Sequence, residues 1–176
     1  MRTLDEAWKW YEETKQLLVL MKRLGDRYWA DLPWDGKLAR DDAFRDLDGN
    51  LIVEMADDSL EHFDDLAIVF LFATFEISVR DHVMESIVSE ASLISHPLLK
   101  HAIEGAISTI KKGSILTLLE GFKRIDHSLV EEVSQVRQYR NWVAHGKRGR
   151  EPGFVDPGTA FTRLVKFLNL LDSENV

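Results

Sequence analysis

The sequence contains no cysteine, only four prolines and only ten glycines among its 176 residues. Without cysteine, the chain forms no disulfide, no thiolate metal site and no thiol nucleophile, and it is compatible with a reducing cytosol. So few turn-forming residues argue against a many-stranded β-sandwich or barrel, whereas the frequent Leu, Glu, Lys, Ala and Val are typical of helices. The composition therefore predicts an all-α protein.

Long hydrophobic segments are also missing. The longest run without a charged residue covers ten residues, from Leu66 to Phe75, whereas a membrane-spanning helix needs about 20. The N-terminal residues lack the apolar core of a signal peptide. The 45% of apolar residues are sufficient for one core, because a domain of about 150 residues buries roughly 70% of its unfolded surface. We expect a single cytoplasmic domain over residues 1–176, without membrane contact.

Helical periodicity divides the chain into about four to six helices. A capping box formed by Thr3 and Glu6 predicts the start of a long first helix that ends near Trp29. A second capping box, Ser128 to Glu131, predicts the start of the helix that carries His145 at its end. After the first helix, the expected helices cover residues 59–88, 98–110, 115–125, 128–145 and 158–171.

The segment from residue 40 to residue 57 breaks this helical pattern. Asp48, Gly49 and Asn50 form a turn signal between two short apolar pieces, which is typical of a hairpin or an irregular loop. We therefore expect a helical bundle with a small irregular or hairpin excursion between its first two long helices.

Positive charge is concentrated in one stretch of an acidic chain. The net charge is −8, from 22 basic and 30 acidic residues. Residues 133–150 hold five of the basic residues and none of the acidic ones, so this stretch carries +5 and the remainder −13. Phosphate binding scales with the number of cations nearby, so a nucleic acid would bind at this stretch rather than over the whole surface. The five cations are Arg137, Arg140, Lys147, Arg148 and Arg150.

Arg140 interrupts the hydrophobic pattern of the helix predicted over residues 128–145. A guanidinium on an inward-facing stripe is costly unless it meets an anion or lines a wet cleft. The sequence therefore predicts an anion or a solvent-filled cleft beside Arg140. The apolar positions that define the stripe are Leu129, Val133, Val136 and Val143.

Three polar residues lie beside Arg140 on the same helix. Arg137, Asn141 and His145 are spaced four residues apart and share one face. From Arg140 to His145 the helix rises about 7.5 Å, a span that fits a phosphodiester with its flanking sugars. Histidine is the usual acid–base group near neutral pH. On spacing alone, however, a histidine followed by glycine is also an ordinary helix ending, in which basic residues complement the helix dipole.

The seven residues from Arg140 to Gly146, RNWVAHG, resemble the R-x-x-x-x-H signature of the HEPN superfamily, including a polar residue after the arginine. The preceding residues, Val136 to Tyr139, resemble its lead-in. Beyond the motif, the resemblance covers only the architecture, a helical bundle with the motif near the loop before the last helix. It implies a dimer whose two motifs meet in a shared cleft. It also implies either a metal-independent endoribonuclease of a toxin–antitoxin or antiviral defence system, or an inactive binding module.

The resemblance assigns a role to each residue of the basic stretch. His145 would be the general acid or base and Arg140 would stabilise the phosphate, with Asn141 in a supporting role. Neither a metal nor a cofactor is expected, and the implied partners are an RNA substrate, a second copy of the chain and an antitoxin protein. In the alternative, the same surface of an inactive HEPN-like module binds a partner protein or a nucleotide. The RNA backbone would be guided by Arg137, Lys147, Arg148 and Arg150.

Glu76 is the first charged residue after the uncharged run of the central helix. It is a candidate charge partner of Arg137 or Arg140 across the helix interface, although a position at the helix edge, in water, is an equally good interpretation. The tryptophans near the N-terminus fit packing better than base stacking, because that region is acidic. No metal site is expected, since the other histidines lack paired spacing: His62, His82, His96, His101 and His127.

Overall fold

The computed structural model describes residues 3–34 and 36–173, and all regular structure within these ranges is helical. The all-α prediction is therefore confirmed. The described residues form seven α-helices, one of which is a single turn: α1 (Leu4–Arg23), α2 (Asp42–Arg45), α3 (Gly49–Ala91), α4 (Pro97–Lys112), α5 (Ile115–Phe122), α6 (His127–Ala144) and α7 (Pro157–Ser173).

Helix α1 begins at the predicted cap. The Thr3 hydroxyl accepts a hydrogen bond from the backbone N–H of Glu6 at 3.2 Å. After Arg23 the helical path continues through a π-helical turn, Leu24–Tyr28, and a 3₁₀ turn, Trp29–Asp31. The predicted end near Trp29 is therefore the end of the whole helical segment, although the regular α-helix stops six residues earlier.

Of the two forms predicted for residues 40–57, the hairpin was wrong, because α3 already begins at Gly49 and runs for 43 residues. The Asp48 carboxylate accepts a hydrogen bond from the N–H of Leu51 at 2.7 Å and caps the helix. Aspartate followed by glycine favours a turn, but aspartate is also a preferred N-cap. The irregular part of the excursion is confined to the residues before Asp48, which include a 3₁₀ turn, Leu38–Arg40, and α2.

The tryptophans near the N-terminus pack against other aromatic rings, as the sequence predicted. Trp8 stacks on Phe161 of α7 with ring centroids 4.8 Å apart. Trp29 and Trp34 contact each other at 4.9 Å, and the Trp34 indole N–H donates to the Trp29 carbonyl at 2.8 Å. Trp10 lies against Phe70 of α3, with centroids 5.5 Å apart.

Helix α3 is the central element of the bundle and packs against α1, α6 and α7. Each completely buried large apolar side chain contributes about 1.5–3 kcal/mol to folding. The buried side chains that join the helices come from one stripe of each: Ile68, Leu71, Phe72, Phe75 and Val79 of α3, Val133 and Val136 of α6, and Leu164 and Phe167 of α7.

Helix α6 starts one residue earlier than predicted and with a different cap. The Asp126 carboxylate accepts from the N–H of Leu129 at 2.9 Å, so Asp126 replaces Ser128 as the N-cap. The helix keeps its predicted register and ends at Ala144, with His145 as the C-cap. None of the helices in residues 3–34 and 36–173 is long and apolar enough to cross a membrane.

Candidate functional site

The end of α6 is a Schellman turn that leaves His145 at the surface. The Gly146 N–H donates to the Val143 carbonyl at 2.9 Å, and the Lys147 N–H donates to the Trp142 carbonyl at 2.8 Å. Gly146 and Lys147 both adopt left-handed conformations, with φ of +71° and +58°. Glycine tolerates this conformation. The turn satisfies the last carbonyls of the helix and directs the following loop away from it.

Arg140 lies where the apolar stripe of α6 reaches the edge of the core. Its guanidinium carbon is 5.6 Å from the centroid of the buried Phe72 ring, and its Nη1 donates to Asn141 Oδ1 at 2.9 Å. Among the described residues, no carboxylate pairs with Arg140. The anion that the sequence analysis anticipated is therefore not supplied by this part of the chain.

Three buried donor atoms in the last turns of α6 have no hydrogen-bond partner among the described residues. They are Nε of Arg137, Nε of Arg140 and Nε1 of Trp142. A buried N–H that remains unpaired costs about 1–3 kcal/mol. All three groups are donors, and because the atoms are buried, an acceptor from outside the bundle would reach them only if neighbouring side chains moved. Trp142 was not singled out from the sequence.

The His145 imidazole is exposed, and within the described chain it makes no side-chain hydrogen bond. Its backbone N–H donates to the Asn141 carbonyl at 3.0 Å. Arg148 and Arg150 are exposed on the loop that follows. The structure thus brings Arg140, Asn141 and His145 to one end of α6, and it places two of the predicted RNA-binding cations beside that end.

Lys147 differs from the other loop cations because it already has a carboxylate partner. Its Nζ lies 2.6 Å from Asp65 Oδ2 of α3 and 5.6 Å from the centroid of the Trp142 ring. The Tyr139 hydroxyl donates to the other oxygen of the same carboxylate, Asp65 Oδ1, at 2.8 Å. The hydrogen bond to Asp65 raises the pKa of Lys147. Burial, followed by the bond to Asp65, raises the pKa of the Tyr139 hydroxyl well above its usual range.

Sequence reasoning missed Asp65, although its position carried a signal. Asp65 precedes Ile68 by three residues and Phe72 by seven, so it occupies the inward stripe of α3. Its exposed fraction is only 9%. A carboxylate on an inward stripe requires partners, and here they come from Tyr139 and Lys147.

Glu76 forms its ion pair within α3 rather than with α6. Its Oε1 lies 2.6 Å from Nη2 of Arg80, four residues along the helix. Arg80 also donates to the carbonyls of Ile110 and Gly113, the latter at 2.8 Å. The pair therefore anchors the turn between α4 and α5 to α3, and the hypothesis that Glu76 neutralises Arg137 or Arg140 loses its basis.

Two cavities of the bundle lie away from this site. One of about 490 Å³ follows α1 from Trp8 to Arg23, and one of about 310 Å³ lies between α1, α3 and α7 around His82. Arg140 and His145 line neither of them. The described residues also contain no group of three or more His, Asp or Glu side chains that could hold a metal ion.

No family model, curated protein or solved structure matches the chain. The resemblance to the HEPN superfamily therefore depends on the residues from Arg140 to Gly146 and on the all-helical architecture.

Proposed function

We propose that the chain is a metal-independent endoribonuclease that cleaves RNA at the end of α6. The observation that carries this proposal is the Arg140 guanidinium, which has no carboxylate partner among the described residues and contacts Phe72 and Asn141. Arg140 lies on the helix that ends at the exposed His145. A cation that pairs with no described carboxylate and an accessible imidazole at the same helix end are the minimum that phosphodiester cleavage requires.

In the proposed reaction, the ribose 2′-oxygen attacks phosphorus and the bond from phosphorus to the 5′-oxygen breaks. His145 takes the 2′-hydroxyl proton or gives a proton to the leaving 5′-oxygen. Arg140 neutralises the charge that develops on the phosphate oxygens, while Asn141 holds the guanidinium in place. The products are a 2′,3′-cyclic phosphate and a free 5′-hydroxyl.

The proposed active unit is a homodimer. Cleavage needs one group that accepts a proton and another that donates one, and each chain contributes one His145. A two-fold contact would supply both imidazoles to one cleft. Near the site, Phe154 lies against Tyr139 with ring centroids 5.9 Å apart and has an exposed fraction of 76%. A second copy would cover such an apolar group.

The RNA backbone would follow the free cations of the site. Arg137, Arg148 and Arg150 fit this role, whereas Lys147 already pairs with Asp65. Phosphate contacts position the strand but carry little sequence information. A role in a toxin–antitoxin or defence system, with an antitoxin as a further partner, rests on the resemblance alone.

The alternative is an inactive HEPN-like module that binds a partner protein or a nucleotide. One observation favours it: no described residue hydrogen-bonds the His145 imidazole, whereas an acid–base histidine is normally oriented by a partner.

Cleavage of RNA by the purified protein in EDTA distinguishes the two functions. The parent should convert a panel of transfer and messenger RNAs to fragments that end in cyclic phosphate. His145→Ala should reduce the rate at least about a hundredfold, because positioned acid–base catalysis contributes that much, and helical content should stay unchanged. A parent that cleaves none of the panel, or a His145→Ala variant as fast as the parent, would favour the binding module.

A further inference from the structure

Lys147 adopts a backbone conformation that L-residues other than glycine rarely take, with φ of +58°. Such a conformation persists only where the surrounding structure holds it. Two contacts hold it here. The Lys147 N–H donates to the Trp142 carbonyl at 2.8 Å, and its Nζ lies 2.6 Å from Asp65 Oδ2. The residue two positions after His145 is thus fixed both to α6 and to α3.

The Asp65 carboxylate connects the two sides of the motif. One oxygen accepts from Tyr139, the residue just before Arg140, and the other pairs with Lys147, two residues after His145. A single side chain of α3 therefore contacts side chains on both flanks of the Arg140-to-His145 segment.

Packing alone does not require a carboxylate at this buried position. Asp65 occupies a position of the inward stripe that an aliphatic side chain would fill, and burying a carboxylate is unfavourable unless its partners compensate. Tyr139 and Lys147 provide that compensation in the observed geometry of the α6 turn.

We propose that Asp65 is a positioning residue, whose contacts with Tyr139 and Lys147 hold the turn after α6 and thereby set His145 relative to Arg140. This inference rests on the proposed ribonuclease function for its catalytic part. The hold on the turn itself is independent of any activity.

Asp64 offers a matched control. It is the neighbouring residue on α3, and its partners are also a tyrosine and a lysine, here from α1. Its Oδ1 accepts from the Tyr11 hydroxyl at 2.7 Å and from Lys15 Nζ at 2.8 Å. Asp64→Asn therefore removes a carboxylate with the same types of partner from a contact with α1 instead of α6, although the Asp64 side chain is more exposed than that of Asp65, at 46% against 12%.

The first experiment measures trypsin cleavage of the folded full chain after Lys147, Arg148 and Arg150. Asp65→Asn should be cleaved in this loop about tenfold faster than the parent, because the turn loses a charge-assisted contact and opens more often. Asp64→Asn keeps the same cleavage sites and should stay within about twofold of the parent. If the loop of Asp65→Asn is cleaved no faster than that of Asp64→Asn, Asp65 does not hold the turn.

The second experiment measures kcat and KM for RNA cleavage. Asp65→Asn should lower kcat about tenfold with KM nearly unchanged, since misplaced groups slow the chemical step more than binding. If Lys147 served only to bind RNA, Asp65→Asn would free its ammonium group, lower KM and leave kcat intact. Lys147→Met should show the same loss of kcat, and Lys147→Arg should recover most of it. If Asp65→Asn does not fold, Tyr139→Phe removes one contact of Asp65 from the α6 side and serves in both assays.

The two failures are distinguishable. Faster loop cleavage with unchanged kcat would overturn the positioning role while the ribonuclease proposal stands. If the parent shows no ribonuclease activity, the catalytic part of the inference fails together with the proposed function, and trypsin cleavage alone then decides whether Asp65 holds the turn.

Discussion

The guanidinium carbon of Arg140 lies 5.6 Å from the centroid of the Phe72 ring, so a cation of the candidate site rests directly on the core of the bundle. Phe72 is completely buried and belongs to α3, the helix that also carries Asp65. The site and the core therefore share one helix, and changes to Arg140 should affect both stability and activity.

Replacing Arg140 with alanine should lower the rate of RNA cleavage by about a hundredfold or more, because a donor aimed at developing charge contributes that much to catalysis. The same change should cost about 0.5–2 kcal/mol of stability through the lost contact with Phe72. Cleavage rates and urea unfolding curves of the same preparation separate the two effects. Arg140→Lys keeps the charge but not the planar group, and we expect intermediate activity from it. An Arg140→Ala variant that is fully active once folded would contradict the proposed role.

The helices of this chain could be predicted from sequence because their signals are local. The Thr3 cap, the stripe of α3 and the stop at Gly146 depend on residues within a few positions of one another. The predicted start of α3 was wrong because Asp48 and Gly49 are equally suited to a turn and to a helix N-terminus. Only packing decides between the two.

The site could be predicted only as far as one helix carries it. Arg140, Asn141 and His145 are local to α6 and its C-cap, and their predicted roles come from the resemblance of this segment to the HEPN signature. The contact between Tyr139 and Asp65 joins residues 74 positions apart, and it depends on how α3 and α6 pack. The ion pair of Lys147 has the same origin, since its near sequence neighbours are all basic or neutral and its anion comes from α3.

Assembly provides the next prediction. The proposed composite cleft requires a dimer, which light scattering across a dilution series would detect. Phe154→Asp should shift the protein toward monomer, because this variant replaces an exposed apolar side chain beside the site with a charged one. Leu98→Asp is the control, since Leu98 is equally exposed, at 75% against 76% for Phe154, but lies on α4. A parent that remains monomeric at micromolar concentration would make the composite cleft untenable.

Gly25 and Gly49 pack against each other without side chains. A Cβ on either residue would lie 2.6 Å from the carbonyl oxygen of the other. Gly25→Ala should therefore destabilise the fold by about 1–3 kcal/mol, as overpacking against backbone usually does. Gly105→Ala, within α4, meets nothing within 4 Å and should stabilise by up to about 1 kcal/mol. Urea unfolding of both variants measures the contrast, and equal stabilities would show that the glycine contact is dispensable.

Asp156 should make the stability of α7 depend on pH. It caps the helix by accepting from the hydroxyl and the N–H of Thr159, at 2.6 and 3.0 Å, and these bonds lower its pKa. Because the folded pKa is the lower one, its contribution is present above about pH 4, the unfolded value, and disappears as pH falls through the folded pKa. Asp156→Asn keeps a good cap but does not titrate. The stability advantage of the parent over Asp156→Asn should shrink as the pH falls below about 4. A constant difference in urea unfolding over that range would contradict this linkage.

The loop cations should differ in their effect on RNA binding because only one of them has a carboxylate partner. Arg148 is exposed, and no described acidic residue pairs with it. Arg148→Ala should therefore weaken RNA binding. It should also reduce the slope of log K against log salt by about 0.7, the value for one lost contact to single-stranded RNA. Lys147→Met should leave that slope nearly unchanged, since the Lys147 charge is already neutralised by Asp65 at 2.6 Å. Fluorescence anisotropy with a labelled RNA at several salt concentrations measures both slopes, with His145→Ala as the protein background to prevent cleavage. If Lys147→Met lowers the slope as much as Arg148→Ala does, Lys147 leaves Asp65 when RNA binds, and the assignment of Lys147 to the α6 turn rather than to the RNA backbone would have to be reversed.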